Sequence, residues 1–265
     1  MKNALAWGDS NINMIRTGPR GATPVVLVHA VGMDLTLWGQ QIELLQKTYH
    51  VVALDLPGHG LSEKIDGELS FTKFAAVLSR VIEGLECGPV HLVGLSFGGM
   101  VIQTVAIERP ELVRSLSLIG TASTFTDAVR AALRERAMFV RREGMRAVAP
   151  LSLARWFTPG FSERRPDVLD QVNKILYQQD PSYHAAIWEI ISELNTEHQL
   201  HELSLPVQVI VGEDDFSTPV SSAQILAEAL GTKRLHIVPG SSHFTNLEAP
   251  EIVNDLLLSF FNSLS

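Results

Sequence analysis

Four short apolar runs that alternate with helix-like segments constrain the fold of this chain more than any other feature. The runs are residues 25–29, 51–54, 90–95 and 116–119. Continuous apolar runs of this length are typical of strands covered on both faces. Because such strands, alternating with amphipathic helices, form parallel sheets with helices on both sides, the first half predicts an α/β fold. Residues 11–16 instead alternate polar and apolar side chains, which predicts an edge strand with one solvent-exposed face.

The strand pattern stops near residue 120 and resumes near residue 207. Residues 121–203 show helical spacing and no convincing strand, whereas residues 207–211 and 234–238 are again strand-like. We therefore expect residues 1–120 and 204–265 to form an α/β core with a mostly parallel sheet. The helical segment at residues 121–203 is expected to form a cap over that core.

Composition excludes several classes of partner. The 265 residues carry a formal net charge of −8, which argues against binding nucleic acid or an anionic membrane surface. The densest basic stretch, residues 134–146, also contains glutamates and predicts a solvated helix face. The one cysteine, Cys87, cannot form an internal disulfide, which fits a reducing cytoplasm.

The sequence also predicts the cellular compartment of the protein and its need for a cofactor or metal ion. The first nine residues lack the apolar core of a signal peptide, and no apolar run approaches membrane-spanning length. We therefore expect a soluble, cytoplasmic protein. No histidine, cysteine and aspartate cluster has metal-ligand spacing, so we expect neither a cofactor nor a metal ion. The oligomeric state does not follow from the sequence.

The strongest chemical signal is the segment Gly94-Leu95-Ser96-Phe97-Gly98. It follows a predicted buried strand and precedes a predicted helix, which is the setting that the Gly-x-Ser-x-Gly motif requires. A turn this sharp leaves no room for side chains at Gly94 and Gly98. It presents the hydroxyl of Ser96 beyond the sheet, next to the N–H groups at the start of a helix. We predict that Ser96 is a catalytic nucleophile.

A histidine and three carboxylates complete the candidate site. His243 follows the last predicted strand, and Glu213, Asp214 and Asp215 follow the strand before it. Catalytic side chains in open α/β sheets stand at the carboxyl ends of strands, and the order serine, acid, histidine suits a serine hydrolase. We predict His243 as the base, with any of the three carboxylates as the acid. Structural roles are expected for the remaining histidines: His29, His50, His59, His91, His184, His198, His201 and His236.

Together these motifs resemble the α/β-hydrolase superfamily along the whole chain. The recurring landmarks are His29-Ala30-Val31-Gly32, Asp55-Leu56-Pro57-Gly58-His59-Gly60-Leu61-Ser62, Gly94 to Met100, Gly212 to Pro219 and His243 to Pro250. The superfamily's acid usually lies three residues after the loop glycine and four before a proline, which implies Asp215. The fold also draws oxyanion-binding N–H groups from the loop after the first buried strand and from the residue after the nucleophile. These correspond to Val31 and Phe97.

Within the superfamily, the chain is similar to the 3-oxoadipate enol-lactonases and related esterases. Residues 31–38, 155–161 and 246–251 carry this resemblance, and the second stretch, Arg155-Trp156-Phe157-Thr158-Pro159-Gly160-Phe161, is the most specific. Two departures stand out. His29-Ala30 replaces the group's usual Asn-Ser pair, and Asp55-Leu56-Pro57 replaces its usual Asp-Thr-Arg, which removes an arginine.

The resemblance implies hydrolysis of a small lactone or short carboxylic ester, with 3-oxoadipate enol-lactone as one candidate. Trp156 and Phe157 are expected to contact the substrate, whereas Trp188 and Phe139 are expected to pack helices. If another cation such as Arg155 replaces the missing arginine, a carboxylated lactone should be preferred, and otherwise neutral lactones and esters should be. Hydrolysis of a carbon–carbon bond in a vinylogous diketone and a ligand receptor without turnover remain alternatives. Haloalkane dehalogenation is disfavoured, because it needs an aspartate where Ser96 stands.

Overall fold

A computed structural model of the chain describes residues 2–7 and 10–264. Within these residues, one eight-stranded sheet forms the centre of the fold. Its strands, in chain order, are β1 Lys2–Trp7, β2 Ser10–Thr17, β3 Pro24–Val28, β4 His50–Leu54, β5 Val90–Leu95, β6 Val113–Ile119, β7 Val207–Gly212 and β8 Leu235–Val238. The spatial order is β1-β2-β4-β3-β5-β6-β7-β8. The six strands from β3 to β8 run parallel, and β1 and β2 are antiparallel to their neighbours.

The apolar runs form strands because both faces of the sheet are covered. Every residue of β3, β5 and β7 is buried. The predicted α/β architecture with a mostly parallel sheet flanked by helices is confirmed.

The prediction of an edge strand at residues 11–16 is wrong. These residues belong to β2, which pairs with β4 on one side and with β1 on the other. Ile12 and Met14 are buried, whereas Asn11 is exposed and Asn13 is partly so. Polar–apolar alternation reports that one face of a strand is buried. It does not report whether both of the strand's edges are paired.

Twelve helices connect and cover the strands in the described residues. They are α1 Gly39–Leu45, α2 Phe71–Glu83, α3 Phe97–Glu108, α4 Asp127–Glu143, α5 Met145–Trp156, α6 Pro159–Arg164, α7 Pro166–Tyr177, α8 Pro181–Ser192, α9 Glu197–Leu200, α10 Val220–Ala229, α11 Thr245–Glu248 and α12 Pro250–Asn262. Short 3-10 turns occupy Leu35–Trp38 and Pro110–Leu112. In the part of the chain that the structure covers, no helix combines the length and apolarity needed to span a membrane.

Six of these helices, α4 to α9, lie between β6 and β7, where the sequence shows helical spacing. Their starts follow local chemistry. The side chains of Thr126, Thr158 and Asp180 accept hydrogen bonds from backbone N–H groups in the first turns of α4, α6 and α8. Proline occupies the first turn of α6, α7 and α8, where its missing N–H is not needed. The predicted helical character of this segment is confirmed.

Candidate active site

Ser96 occupies a strained turn between β5 and α3. Its backbone has φ 53° and ψ −116°, a region that side-chain-bearing residues rarely adopt and that costs about 1–3 kcal/mol. Two hydrogen bonds hold it there. The Ser96 N–H donates to the carbonyl of Ile119 at 2.9 Å, and the hydroxyl of Thr121 donates to the carbonyl of Ser96 at 2.8 Å. The strained conformation is therefore held by Ile119, the last residue of β6, and by Thr121, two residues further along the chain.

The glycines around Ser96 are required by close backbone contacts. A Cβ on Gly98 would lie 2.2 Å from the carbonyl oxygen of Val28 in β3. A Cβ on Gly94 would lie 2.7 Å from backbone atoms of Gly98 and Gly99. The predicted collision at both motif glycines is confirmed.

Asp215 and His243 form a buried hydrogen-bonded pair. The loop after β7 carries Asp215, and the loop after β8 carries His243, so parallel strands bring both residues to one edge of the sheet. His243 Nδ1 lies 2.8 Å from Asp215 Oδ2, and both side chains are nearly inaccessible. Asp215 also accepts hydrogen bonds from the N–H of Ser217 at 2.7 Å and of Thr218 at 2.9 Å. The Thr218 hydroxyl donates to Oδ2 at 3.0 Å.

These contacts keep Asp215 ionised. Burial acts to raise the pKa of its carboxyl, but the adjacent His243 and the N–H groups of Thr218 and Ser217 outweigh burial, and the pKa is lowered. The other two candidate acids are exposed. Glu213 accepts a hydrogen bond from the N–H of Gly240. Only Asp215, of the three carboxylates on this loop, contacts His243.

Val31 and Phe97 supply two backbone N–H groups near Ser96. Phe97 is the first residue of α3, where N–H groups have no partner within the helix. Among the described residues, neither N–H has a hydrogen-bond acceptor. Val31 lines the same cavity as Ser96. Val31 and Phe97 therefore each keep an N–H group that no acceptor in the described residues uses.

His29 braces the loop that carries Val31. Its Nδ1 lies 2.8 Å from the carbonyl oxygen of Ala30, and its Nε2 accepts from the N–H of Leu56 at 2.9 Å. These partners place the ring proton on Nδ1. Burial lowers the pKa of His29 to about 4, so the ring is neutral at pH 7. The structural role predicted for His29 is confirmed.

His59 and His184 are also buried and neutral. His59 Nδ1 bonds the carbonyl of Pro57, which confirms its predicted role in bracing the loop, and His184 Nε2 accepts from the indole N–H of Trp188. Burial lowers the pKa of each ring to about 3, and the charge of Arg136 adds to this lowering at His184.

One cavity of about 1000 Å³ connects these groups with helices α4, α5 and α8. Ser96, His243 and Val31 line it on the sheet side. Its lining on the helical side is mostly apolar and includes Val129, Leu133, Phe139, Trp156, Trp188 and Ile191.

Of the four aromatic residues named in the sequence analysis of this segment, three line the cavity and one does not. Trp156 lines it, as expected for a substrate contact, but Phe157 does not. The Phe157 ring stacks on Phe161 at 5.3 Å and meets Phe244 edge-on, so it packs the helices instead. Trp188 and Phe139, which were expected only to pack helices, both line the cavity. Helical spacing predicts on which face of a helix a residue lies. It does not predict whether that face packs against another helix or lines a cavity.

The predicted solvated face at residues 134–146 is also partly wrong. Arg136 is partly buried and lines the cavity, with its guanidinium 4.3 Å from the centre of the Trp188 ring. Its neighbours Arg134 and Arg141 pair with Glu193 and Glu189 at the surface. No feature of the sequence separates Arg136 from these arginines.

A second group of residues that the sequence did not reveal ties the helical segment to the His243 loop. One carboxylate oxygen of Glu248 accepts from the N–H and hydroxyl of Thr158, at 2.8 and 2.7 Å. The other accepts from the N–H of Ser242. The N–H of Phe244 donates to the carbonyl of Trp156 at 3.2 Å. Both residues that flank His243 are therefore anchored to the segment at residues 156–158.

Metal-ligating side chains are not grouped in the described residues. No three histidine, cysteine, aspartate or glutamate residues there stand in an arrangement that could hold a metal ion.

Comparison with protein families decides the evolutionary group. The model of the alpha/beta hydrolase family matches residues 25–256, which includes Ser96, Asp215 and His243. The chain belongs to the α/β-hydrolase family. The strand–serine–helix turn at Ser96 is the setting in which this fold presents a nucleophilic serine.

Several characterised α/β-hydrolases are similar along nearly the whole chain. 3-Oxoadipate enol-lactonase 2 of Acinetobacter baylyi is 30% identical over 253 residues, which cover 96% of this chain and 94% of that protein. The crystal structure of the enol-lactonase from Burkholderia xenovorans LB400 superposes with a TM-score of 0.90 at 25% identity, covering 98% and 100% of the two chains. A thermophilic esterase from Thermogutta terrifontis, solved with malate bound, also gives 0.90 at 25% identity, with 100% and 99% coverage. The predicted resemblance to enol-lactonases and related esterases is confirmed.

Proposed function

We propose that this α/β-hydrolase cleaves a small lactone or short carboxylic ester through Ser96, His243 and Asp215. One observation carries the proposal. The Asp215–His243 pair and the strained Ser96 lie at the same edge of the sheet, and Ser96 and His243 line one cavity. The relatives that hydrolyse lactones and esters support the same class of reaction. 3-Oxoadipate enol-lactone is one candidate substrate.

The first half-reaction acylates the serine. The Nδ1–H of His243 donates a hydrogen bond to Asp215, so Nε2 is free to accept the proton of Ser96 Oγ as that oxygen attacks the substrate carbonyl. Asp215 holds this tautomer and stabilises the imidazolium that forms. His243 then protonates the leaving oxygen, and the acyl group stays on Ser96. With an enol lactone the leaving group is an enol, which tautomerises to a ketone.

The N–H groups of Val31 and Phe97 stabilise the charge that develops on the carbonyl oxygen. Each such donor is worth about 3–4 kcal/mol of transition-state stabilisation. The Phe97 N–H adds the positive end of the α3 dipole. In the second half-reaction His243 activates water, which releases the acid product and restores Ser96.

We assign residues 121–203 as a cap over a core of residues 1–120 and 204–265. Helices α4, α5 and α8 of this segment line the cavity opposite Ser96, which supports the assignment. A cap in this position limits the access of bulk water and shapes the acyl pocket. The mostly apolar lining favours a small organic substrate with few polar groups.

The test is to compare Ser96→Ala with the wild type and with Ser79→Ala. Ser79 is a buried serine on α2 whose hydroxyl has no partner in the described residues, so its loss controls for removal of a hydroxyl. We expect a fluorophosphonate to label the wild type and Ser79→Ala but not Ser96→Ala. Hydrolysis of 4-nitrophenyl acetate should follow the same pattern. Near wild-type turnover by Ser96→Ala would contradict the assignment, and labelling without turnover of any ester or lactone would favour a receptor.

A further inference from the structure

Arg136 is an unusual cation because of where its guanidinium lies. It belongs to α4 and lines the cavity that Ser96 and His243 also line. Its Nη2 donates to the hydroxyl of Ser152 on α5 at 2.8 Å. Its face covers the ring of Trp188 on α8. Three helices of the cap therefore fix the guanidinium at the cavity wall.

Arg136 has no carboxylate partner in the part of the chain that the structure describes. No carboxylate in the described residues lies within 4.0 Å of it, whereas Arg134, Arg141 and Arg142 on the same helix each pair with a glutamate. The hydroxyl of Ser152 accepts from one of the five N–H groups of the guanidinium, and Nε is buried without an acceptor. A desolvated cation with unused donors is costly unless an anion accompanies it.

The charges around Arg136 increase this cost. Burial, with the nearby charge of Arg155, lowers the pKa of Arg136 to about 10, so the group is still protonated at pH 7. Arg155 and Arg142 also line the cavity. Glu135 on α4, which is exposed, contributes a carboxylate to the same lining. The helical side of the cavity therefore carries more positive than negative charge.

We propose that Arg136 binds a carboxylate of the substrate, which makes the preferred substrate a monoanionic ester or lactone. This inference rests on the proposed hydrolysis at Ser96 and specifies its substrate class. A carboxylate matches the planar donor array of a guanidinium and supplies the missing counter-charge. The apolar remainder of the lining suits the carbon skeleton between this carboxylate and the scissile bond.

Arg136 also accounts for a departure from the enol-lactonase pattern. The chain has Pro57 where that group usually has an arginine, so a cation must come from elsewhere if the substrate is anionic. Arg155 is the weaker candidate, because its side chain is exposed and its Nη2 donates to the carbonyl of Phe216 at 3.0 Å.

The experiment uses two pairs of substrates that differ only in charge. The first pair is mono-4-nitrophenyl glutarate and its terminal amide, which place the carboxylate on the acyl side of the ester. The second is a five-membered lactone with a carboxymethyl group and the corresponding carboxamide, which place it on the alcohol side. We expect wild-type kcat/KM to favour the anion by about 10- to 100-fold in at least one pair, the range of a hydrogen-bonded charge.

Three variants locate the effect. Arg136→Met keeps the stem over Trp188 but should abolish the preference for the anion, mainly through KM, so that the ratio of kcat/KM for the anionic and neutral partners falls to about one. Arg136→Lys should restore part of the preference, because it retains the charge without the planar fork. Arg134→Met, which removes a paired surface arginine from the same helix, should leave the preference intact.

The outcomes separate the two proposals. If the wild type hydrolyses charged and neutral substrates equally well, or if Arg136→Met retains the preference, the anion site is wrong while hydrolysis at Ser96 stands. If the folded wild type hydrolyses neither member of either pair nor 4-nitrophenyl acetate, the proposed function itself is wrong. A loss of neutral-substrate activity in Arg136→Met that Arg136→Lys does not restore would show a structural role and overturn the anion site.

Discussion

Replacing Asp215 by asparagine tests the proposed triad most sharply, because the geometry dictates how the amide must sit. The N–H groups of Ser217 and Thr218 point at Oδ1, so the amide oxygen of an asparagine must take that position. The amide nitrogen then replaces Oδ2, 2.8 Å from His243 Nδ1. Since an NH₂ group only donates, Nδ1 must accept, and the ring proton moves to Nε2. His243 can then no longer accept the proton of Ser96.

This change of tautomer determines how much activity Asp215→Asn should lose. A triad histidine held in the wrong tautomer loses about 10⁴-fold in kcat, or about 5.5 kcal/mol of transition-state stabilisation. Asp214→Asn is the matched control, because Asp214 is adjacent but exposed and should lose less than about threefold. The assay is kcat/KM for a 4-nitrophenyl ester at pH 7.5, with thermal unfolding as a check of folding. Equal losses, or a larger loss at position 214, would refute the assignment of the acid.

Three further predictions concern the turn, the buried histidines and metal dependence. Gly98→Ala should lower the free energy of unfolding by about 1–3 kcal/mol or more, because the new Cβ would lie 2.2 Å from a carbonyl oxygen of β3. Gly39→Ala is the control, because a Cβ there would meet no atom within 4 Å, and this variant should be as stable as the wild type or more stable. Urea titrations of both variants provide the comparison. His29, His59 and His184 have folded pKa values of about 3–4, below the unfolded value near 6.5, so unfolded chains bind more protons between these limits. Stability should fall by up to about 1.4 kcal/mol per pH unit per histidine from pH 6.5 towards 4, and unfolding curves whose midpoints do not move over that range would contradict this. Esterase activity should be unchanged by EDTA, and an activity that EDTA removes and a divalent metal restores would count against the triad mechanism.

Much of the fold could be predicted from local sequence because the sheet is buried on both faces. Runs such as 90–95 and 207–211 must be covered by helices, and the alternation with amphipathic segments then fixes a parallel sheet. Strand β1, Lys2–Trp7, was not predicted, since its six residues carry no clear period and owe their conformation to pairing with β2. Pairing between strands is a tertiary interaction, which a pattern within one segment does not contain.

The site was predicted where backbone geometry restricts the residue types. Ser96 and its glycines could be recognised because few sequences fit so sharp a turn, and His243 because of its place after the last strand. The sequence needed family spacing to favour Asp215 among three neighbouring acids, whereas in the structure its burial and its contact with His243 support the proposal. Arg136 could not be predicted, because its environment depends on how α4 packs against α5 and α8.

The contacts of Glu248 bear on how specificity in this scaffold can be altered. Exchanging residues 121–203 for the corresponding segment of a relative is an obvious route to a new pocket. Such a graft would replace Thr158 and the backbone of Trp156, which hold the residues on either side of His243. Recombination at those boundaries would thus disturb the position of His243 while changing the pocket. A chimaera that exchanges the segment only as far as residue 155, and keeps residues 156–158 of the host, would change the pocket without removing the contacts on either side of His243.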